Sequence, residues 1–143
     1  MKIKTISIYR PDLSTSLSQP YYEARVSAGF PSPAADYEEG RLDLNKYLIK
    51  NPPATFFVRV SGESMVGAGI HSGDLLIVDR SLEPRDKNIV IAVVNGSLTV
   101  KRIRMHRKKI CLEPENTDYA VQEISTDVEF QVWGVVTNVI HPL

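Results

Sequence analysis

The chain has 143 residues, 43% of them hydrophobic, which is the usual size of one domain and enough to bury a core. Seventeen basic and 17 acidic residues give no net charge, so no overall field draws the protein to nucleic acid or to an anionic membrane. A single cysteine excludes an internal disulfide, and the absence of an apolar signal core or membrane-length segment leads us to expect a cytoplasmic protein without a membrane segment.

The first predicted feature is an extended arm over residues 11–35, which holds four prolines and has neither helical nor strand periodicity. A short amphipathic helix is predicted over residues 42–49, because Leu44, Leu48 and Ile49 share a face, and prolines at 52 and 53 end it. We expect the chain to divide into an extended arm, residues 1–40, and a β domain, residues 41–143.

From residue 54 onward, short segments rich in valine, isoleucine and aromatic residues alternate with turn residues. The predicted strands cover residues 54–62, 74–80, 88–94, 97–105, 108–114 and 129–140. This punctuation favours an all-β fold, either a compact curved sandwich or a partly closed barrel, with at most one short helix.

Asn95-Gly96 predicts a two-residue hairpin turn, because both residues accept positive φ. With residues 94 and 97 opposite each other, Thr99 faces Ala92 and Lys101 faces Val90. Side chains alternate along a strand, so Lys101 shares its face with the apolar residues 103 and 105, and the arginines 102 and 104 point the other way.

Ser64, in the glycine-rich stretch SGESMVGAGI, is a candidate nucleophile without an evident histidine partner. None of His71, His106 and His141 is a strong candidate for the base, and with one cysteine they form no recognisable metal-ligand set. A buried, neutral lysine can serve instead, and Lys101 lies on an apolar strand face. A serine in such a turn is commonly only a turn residue, and a hairpin lysine is commonly a solvated charge.

Four segments resemble the LexA/UmuD type of self-cleaving Ser/Lys peptidases: SGESM at 61–65, GDLLIVD at 73–79, TVKR at 99–102 and WGVV at 133–136. AGFPSPAADY at 28–37 is similar to the segment that this family cleaves, and the separation of Ser64 and Lys101 by 37 residues fits the family. The resemblance covers nearly all of the chain after about residue 25, and it implies that residues 41–143 are the peptidase domain.

The resemblance implies that Ser64 is the nucleophile and Lys101 the general base of a serine peptidase that cleaves itself. The backbone amides of Ser64 and Glu63 would form the oxyanion hole. No cofactor and no metal ion are expected.

The implied cleavage site lies between Ala28 and Gly29, with the side chain of Val26 in a second apolar pocket. Some family members have cysteine before the glycine, whereas others have alanine, as here. Both residues are small, so the chemistry is expected to persist. Cys111 is left without a catalytic role, and a buried strand thiol is the expected one.

The resemblance also implies partners: a second copy of the chain in a homodimer, a RecA nucleoprotein filament that stimulates cleavage, and a UmuC-like subunit of a Y-family DNA polymerase. The cleaved product would then be an accessory subunit for error-prone translesion synthesis in the SOS response to DNA damage. The basic cluster at residues 101–109 is more typical of a solvated hairpin face than of a DNA site, and we expect no direct sequence-specific DNA binding.

Two alternatives stay open at this point. The chain could be a dimeric β interaction module of the same polymerase system that no longer cleaves. It could also be a signal-peptidase-like enzyme, which uses serine and lysine too, although the sequence contains no membrane anchor and does contain a plausible cleavage segment.

Overall fold

The computed structural model describes residues 4–16, 18–22 and 38–143, and within these ranges the protein is mainly β. The one α-helix within the described ranges, α1, covers Leu44–Leu48, and short 3-10 turns cover Pro52–Ala54 and Val66–Ala68. The strands are β1 Lys4–Tyr9, β2 Ser18–Tyr22, β3 Glu38–Asp43, β4 Thr55–Ser61, β5 Leu75–Asp79, β6 Ile89–Val94, β7 Ser97–His106, β8 Lys109–Glu113, β9 Gln122–Ile124 and β10 Phe130–Ile140. The all-β prediction with one short helix is confirmed.

Two compact units make up the chain: Met1–Pro11 with Asn51–Leu143, and Asp12–Lys50. The first unit contains one eight-stranded antiparallel sheet in the order β1-β4-β5-β10-β6-β7-β8-β9, which does not close within the described residues. The strands predicted from residue 54 onward are all present. β1 and β9, which have no prediction, lie at the two ends of the sheet.

The second unit contains β2 and β3, paired antiparallel, and α1. The helix begins later than predicted because the carboxylate of Asp43 accepts a hydrogen bond from the Asn45 N–H at 2.9 Å and caps the first turn. β2 lies inside the predicted extended arm. The cleavage-segment residues Val26, Ala28 and Gly29 lie outside the described residues.

The β6–β7 hairpin has the predicted register. Asn95 and Gly96 have φ values of 48° and 80°, as this tight turn requires, and Val94 pairs with Ser97. Thr99 is therefore opposite Ala92, and Lys101 is opposite Val90. The hairpin prediction is confirmed residue by residue.

The core consists of two clusters of buried side chains, one on each face of β6. Ile91 belongs to one cluster, with Val58 and Met65, whereas Val90 belongs to the other, with Ile103. Because β6 is covered on both faces, it is a continuous apolar run rather than an alternating one. None of the helices in the described ranges has the length and apolar character needed to cross a membrane.

Replacing Gly134 with alanine is expected to destabilise the sheet. A Cβ atom at Gly134 would lie 2.6 Å from Cγ1 of Val78 and 3.2 Å from the Asp79 carbonyl oxygen. Since Val78 is fully buried, it has little room to yield, and we expect a loss of about 1–3 kcal/mol in the free energy of unfolding. Urea denaturation measures this loss, with the exposed Asn138→Ala in the same strand as control. Equal midpoints for G134A and the wild type would contradict the close packing.

Candidate active site

Lys101 lies in the middle of β7 and is only 4% exposed, which is unusual for a lysine. Its neighbour on the same face, Ile103, is buried too. Arg102 forms an ion pair with Glu115 on the opposite face. The hairpin register therefore directs the Lys101 side chain into the core, while that of Arg102 points away from it. The interpretation of Lys101 as a solvated charge is wrong.

Burial changes the acid–base behaviour of Lys101. Because the ammonium form loses its hydration away from water, the pKa of the Lys101 amine falls to about 8. About a tenth of the amine is then neutral at pH 7, compared with well under a thousandth for a solvated lysine. A neutral amine is a proton acceptor, so Lys101 can act as a base near physiological pH.

Among the described residues, three oxygen atoms lie 3.1 Å from the Lys101 Nζ atom: the Oγ of Ser64, the Oγ1 of Thr99 and the carbonyl oxygen of Val100. An ammonium donates to all three. A neutral amine has two hydrogens, which Thr99 and Val100 can accept, and its lone pair can then accept the hydroxyl hydrogen of Ser64. The same geometry thus serves the deprotonation of the serine.

Ser64 lies in the loop of residues 62–70 that follows β4, which we call the serine loop, and it is 2% exposed. The next residue, Met65, is fully buried in the core cluster and anchors the loop. Glu115 holds it from the other side, because its N–H donates to the Ser64 carbonyl at 2.8 Å and its carbonyl accepts from the Gly67 N–H at 2.7 Å. The serine hydroxyl is therefore presented by a fixed backbone.

The peptide group between Glu63 and Ser64 is also fixed. Its carbonyl oxygen, that of Glu63, accepts a hydrogen bond from Nδ2 of Asn116 at 2.8 Å. In a trans peptide the N–H points opposite to the C=O, so the Ser64 N–H is directed away from Asn116. In the described part of the chain no oxygen accepts a hydrogen bond from the N–H of Ser64 or Glu63. Both amides are thus candidates for binding an oxyanion.

A groove shares one residue, Thr99, with the surroundings of Lys101. Thr99, which contacts Lys101, contributes to its wall, and Val94 and Val121 make part of the wall apolar. Its other lining residues are Asn95, Ser97, Ala120 and Gln122. The groove, which we call the Thr99 groove, has the polarity expected for an extended peptide with small apolar side chains.

Replacing Thr99 with valine is expected to slow any reaction that depends on the Lys101 amine by roughly tenfold. Valine has a similar shape but cannot accept the N–H of Lys101, so the amine loses one of the contacts that direct its lone pair. Single-turnover rates measure this effect. Thr137→Val is the matched control, since that hydroxyl donates to the Ile77 carbonyl at 3.3 Å. An equal slowing in both variants would contradict a positioning role for Thr99.

The histidines do not contribute to this site. His71 and His141 each approach the carboxylate of Asp74, and His106 is exposed at the end of β7. Among the described residues, the Ser64 hydroxyl has Lys101 as its hydrogen-bond partner. Cys111 lies half-buried in β8.

Three residues contribute to the site although the sequence analysis predicts no role for them there: Thr99, Glu115 and Asn116. The signal for Thr99 is its position two residues before Lys101, on the same strand face. Glu115 and Asn116 follow β8 in a segment without strand periodicity. Their contacts with the serine loop are set by tertiary structure, and no local pattern indicates them.

Comparison with known proteins shows similarity over most of the chain. A family model described as Peptidase S24-like matches residues 20–137. Protein MucA of Salmonella typhimurium is 47% identical over 129 residues, which is 88% of each chain, and Protein ImpA of Escherichia coli is 47% identical over 92% of this chain and 89% of its own length. The LexA repressor of Xylella fastidiosa is 35% identical over 82% of this chain and 56% of its own.

Proposed function

The chain belongs to the Peptidase S24-like family of LexA/UmuD-type serine peptidases, and we propose that it cleaves its own backbone between Ala28 and Gly29 with a Ser64–Lys101 dyad. The family prediction made from the four sequence motifs is confirmed.

The main support for this dyad is the 3.1 Å contact between Nζ of the buried Lys101 and Oγ of the buried Ser64. A lysine in that setting has a lowered pKa, and a serine hydroxyl needs an adjacent base to attack a peptide. A merely structural lysine would gain more from solvent than from burial. Burying the Lys101 amine costs free energy of desolvation, and its contact with the Ser64 hydroxyl gives that burial a catalytic role.

In the first half of the reaction, the neutral Lys101 amine takes the proton of the Ser64 hydroxyl as Oγ attacks the carbonyl carbon of Ala28. The N–H groups of Ser64 and Glu63 stabilise the oxyanion of the tetrahedral intermediate. When this intermediate collapses, the bond between the Ala28 carbonyl carbon and the Gly29 nitrogen breaks. The Lys101 ammonium gives its proton to the leaving amine, and an ester joins Ala28 to Ser64.

In the second half, the regenerated Lys101 amine takes a proton from a water molecule, which attacks the ester carbonyl. The ester bond breaks, the Ser64 oxygen recovers a proton from Lys101, and Ala28 leaves as a free carboxylic acid. The products are residues 1–28 and residues 29–143. The scheme uses no cofactor, since Lys101, Ser64 and the attacking water account for every proton and the backbone amides stabilise the oxyanion.

We assign the Thr99 groove to the cleaved segment, supplied by the same copy or by another copy of the chain. Small, apolar Ala28 and the branched Val26 suit a wall made of Val94 and Val121. Gly29 permits the close approach of two backbones, because it has no Cβ. This assignment is compatible with cleavage within one copy of the chain and with cleavage of one copy by another.

The biological role that we propose is a switch in the SOS response to DNA damage, in the cytoplasm. A RecA filament on single-stranded DNA would stimulate the cut, and the shortened homodimer would serve a UmuC-like Y-family polymerase subunit during translesion synthesis. Residues 1–28 hold four basic and two acidic side chains, so the product has a slight negative charge, which favours a protein partner over DNA. Similarity to MucA and ImpA over most of the chain supports this role.

The alternative is a dimeric β module of the same system that does not cleave. The buried contact between Ser64 and Lys101 disfavours it, because a scaffold without catalytic use would not need to bury a lysine amine against a serine hydroxyl. The signal-peptidase-like alternative would also use Ser64 and Lys101, but the sequence favours self-cleavage because it contains a plausible cleavage segment at residues 28–37.

Incubation of the purified full-length chain at neutral pH with RecA, single-stranded DNA and a nucleotide tests the proposed function. We expect a fragment beginning at Gly29 to accumulate much faster than without RecA, and RecA without DNA is the control. Cleavage at alkaline pH without any response to RecA filaments would overturn the SOS role alone. No fragment under either condition would favour the module that does not cleave.

A further inference from the structure

A second cluster of reactive side chains lies where β10 meets the start of β5. Ile140 pairs with Leu75 at the end of β10, and the next step of this antiparallel register brings His141 opposite Asp74. The His141 Nδ1 is 2.6 Å from Oδ1 of Asp74, and the His71 Nδ1 is 3.8 Å from Oδ2. The two imidazole rings lie 4.5 Å apart, at 35° to each other. Sheet pairing thus brings His141, near the end of the chain, beside Asp74, and His71 lies three residues before Asp74 in the sequence.

The carboxylate at the centre of this cluster is rigid. Asp74 is 1% exposed, and its Oδ2 accepts a hydrogen bond from the His71 N–H at 2.8 Å. Its backbone is held as well, since the Asp74 N–H donates to the His71 carbonyl and its carbonyl accepts from the Val60 N–H. Carboxylates that bind metal ions are usually held in position by hydrogen bonds of this kind.

The two histidines are partly open to solvent, with side chains 45% and 41% exposed. The Nδ1 atom of His71 is nevertheless buried and has no hydrogen-bond partner among the described residues. Such a nitrogen costs free energy unless something binds it. Its position facing the carboxylate indicates that the missing partner is an electrophile shared with Asp74.

We propose that His71, Asp74 and His141 bind a divalent transition-metal ion of the Zn²⁺ class. Their donor atoms all lie within 4.8 Å of one another. Zinc–ligand distances of about 2.0–2.2 Å place tetrahedral donors about 3.3 Å apart. The observed separations are 2.6 Å from His141 Nδ1 to Oδ1 of Asp74 and 3.8 Å from His71 Nδ1 to Oδ2. They involve different carboxylate oxygens and lie on either side of that value, and rotation of the partly exposed imidazoles would bring both nitrogens to one ion.

The donor types select the class of ion. Two imidazole nitrogens and one carboxylate oxygen suit Zn²⁺, Co²⁺, Ni²⁺ or Cu²⁺, whereas Mg²⁺ and Ca²⁺ prefer sites made of oxygen ligands. Three protein ligands leave a coordination position for water. In the described part of the chain none of the three residues forms a hydrogen bond or an ion pair with Ser64 or Lys101, so the zinc test is independent of the proposed peptidase function.

Titration of the full-length chain with ZnCl₂ in competition with a chromophoric chelator at pH 7.5 tests the proposal. We expect one Zn²⁺ per chain with a dissociation constant in the micromolar range, and Co²⁺ in its place should show the visible absorption of a four- or five-coordinate ion. His71→Ala and His141→Ala should each weaken binding at least about tenfold. His106→Ala, which removes the remaining histidine, is the matched control and should bind as the wild type does.

Two outcomes would overturn the site. One is absence of saturable Zn²⁺ binding by the wild type, and the other is unchanged affinity in the H71A/H141A double variant. If a variant fails to fold, NMR of the histidine ring nitrogens in the wild type decides the matter. Zn²⁺ must then shift the ring signals of His71 and His141 and leave those of His106 in place, and any other pattern contradicts the proposal.

Discussion

Replacing Lys101 with methionine is expected to reduce the rate of cleavage between Ala28 and Gly29 by at least about 10³-fold. Methionine fills nearly the same volume, so the core around Val90 and Ile103 keeps its packing, but the base that accepts the Ser64 proton is gone. Stability should stay equal or rise, because a buried amine is replaced with an apolar side chain. The measurement is the first-order rate of fragment formation at alkaline pH, beside a urea denaturation curve for each protein.

Lys101→Arg separates charge from basicity. Arginine keeps the positive charge but does not lose its proton in a protein, so this variant should not cleave at any accessible pH. Lys109→Met, on the exposed side of β8, is the matched lysine control and should cleave as the wild type does. Cleavage by K101M at more than a tenth of the wild-type rate, in a folded protein, would remove Lys101 from the mechanism.

The second large effect is the dependence of cleavage on pH. If the neutral Lys101 amine is the base, the rate follows the neutral fraction, which rises as pH increases through its pKa of about 8. We expect the rate to increase about tenfold per unit below pH 7 and to level off above pH 9. Between pH 6 and pH 9 the total increase is roughly 90-fold. Rates from single-turnover time courses at constant ionic strength measure this profile.

Circular dichroism over the same pH range is the control that the fold persists. A profile that is flat from pH 6 to pH 9, or one with its midpoint near the ordinary histidine value, would contradict a lysine base. Thr99→Val should lower the plateau, because it loses one contact that positions the amine. The same midpoint with an unchanged plateau in T99V would confine the role of Thr99 to packing.

Six strands of the large sheet, β4 to β8 and β10, and the burial of Lys101 were accessible from sequence because they depend on local rules. Asn95-Gly96 sets the turn, the turn sets the register, and the two-residue alternation of a strand then places Lys101 beside Ile103. The hydrophobic pattern settles which face is inside. These are short-range constraints, and each residue involved lies within about ten positions of the turn.

The rest of the site depends on contacts between distant segments. Glu115 holds the serine loop through backbone hydrogen bonds, which leave no trace in side-chain pattern. β1 pairs with β4 although its sequence has no prediction as a strand. Asp74 and His141, 67 residues apart, meet only because β5 and β10 are neighbours in the sheet. Strand order is the information that a single sequence does not supply.

Intact-mass spectrometry of the purified protein during incubation near pH 9.5 shows whether this chain is its own substrate. We expect the full-length chain to convert into two species, residues 1–28 and residues 29–143, and Ser64→Ala to stay intact throughout. Self-cleavage by Ser64 would be contradicted by a wild-type chain that remains whole, by a cut at another bond, or by the same cut in S64A.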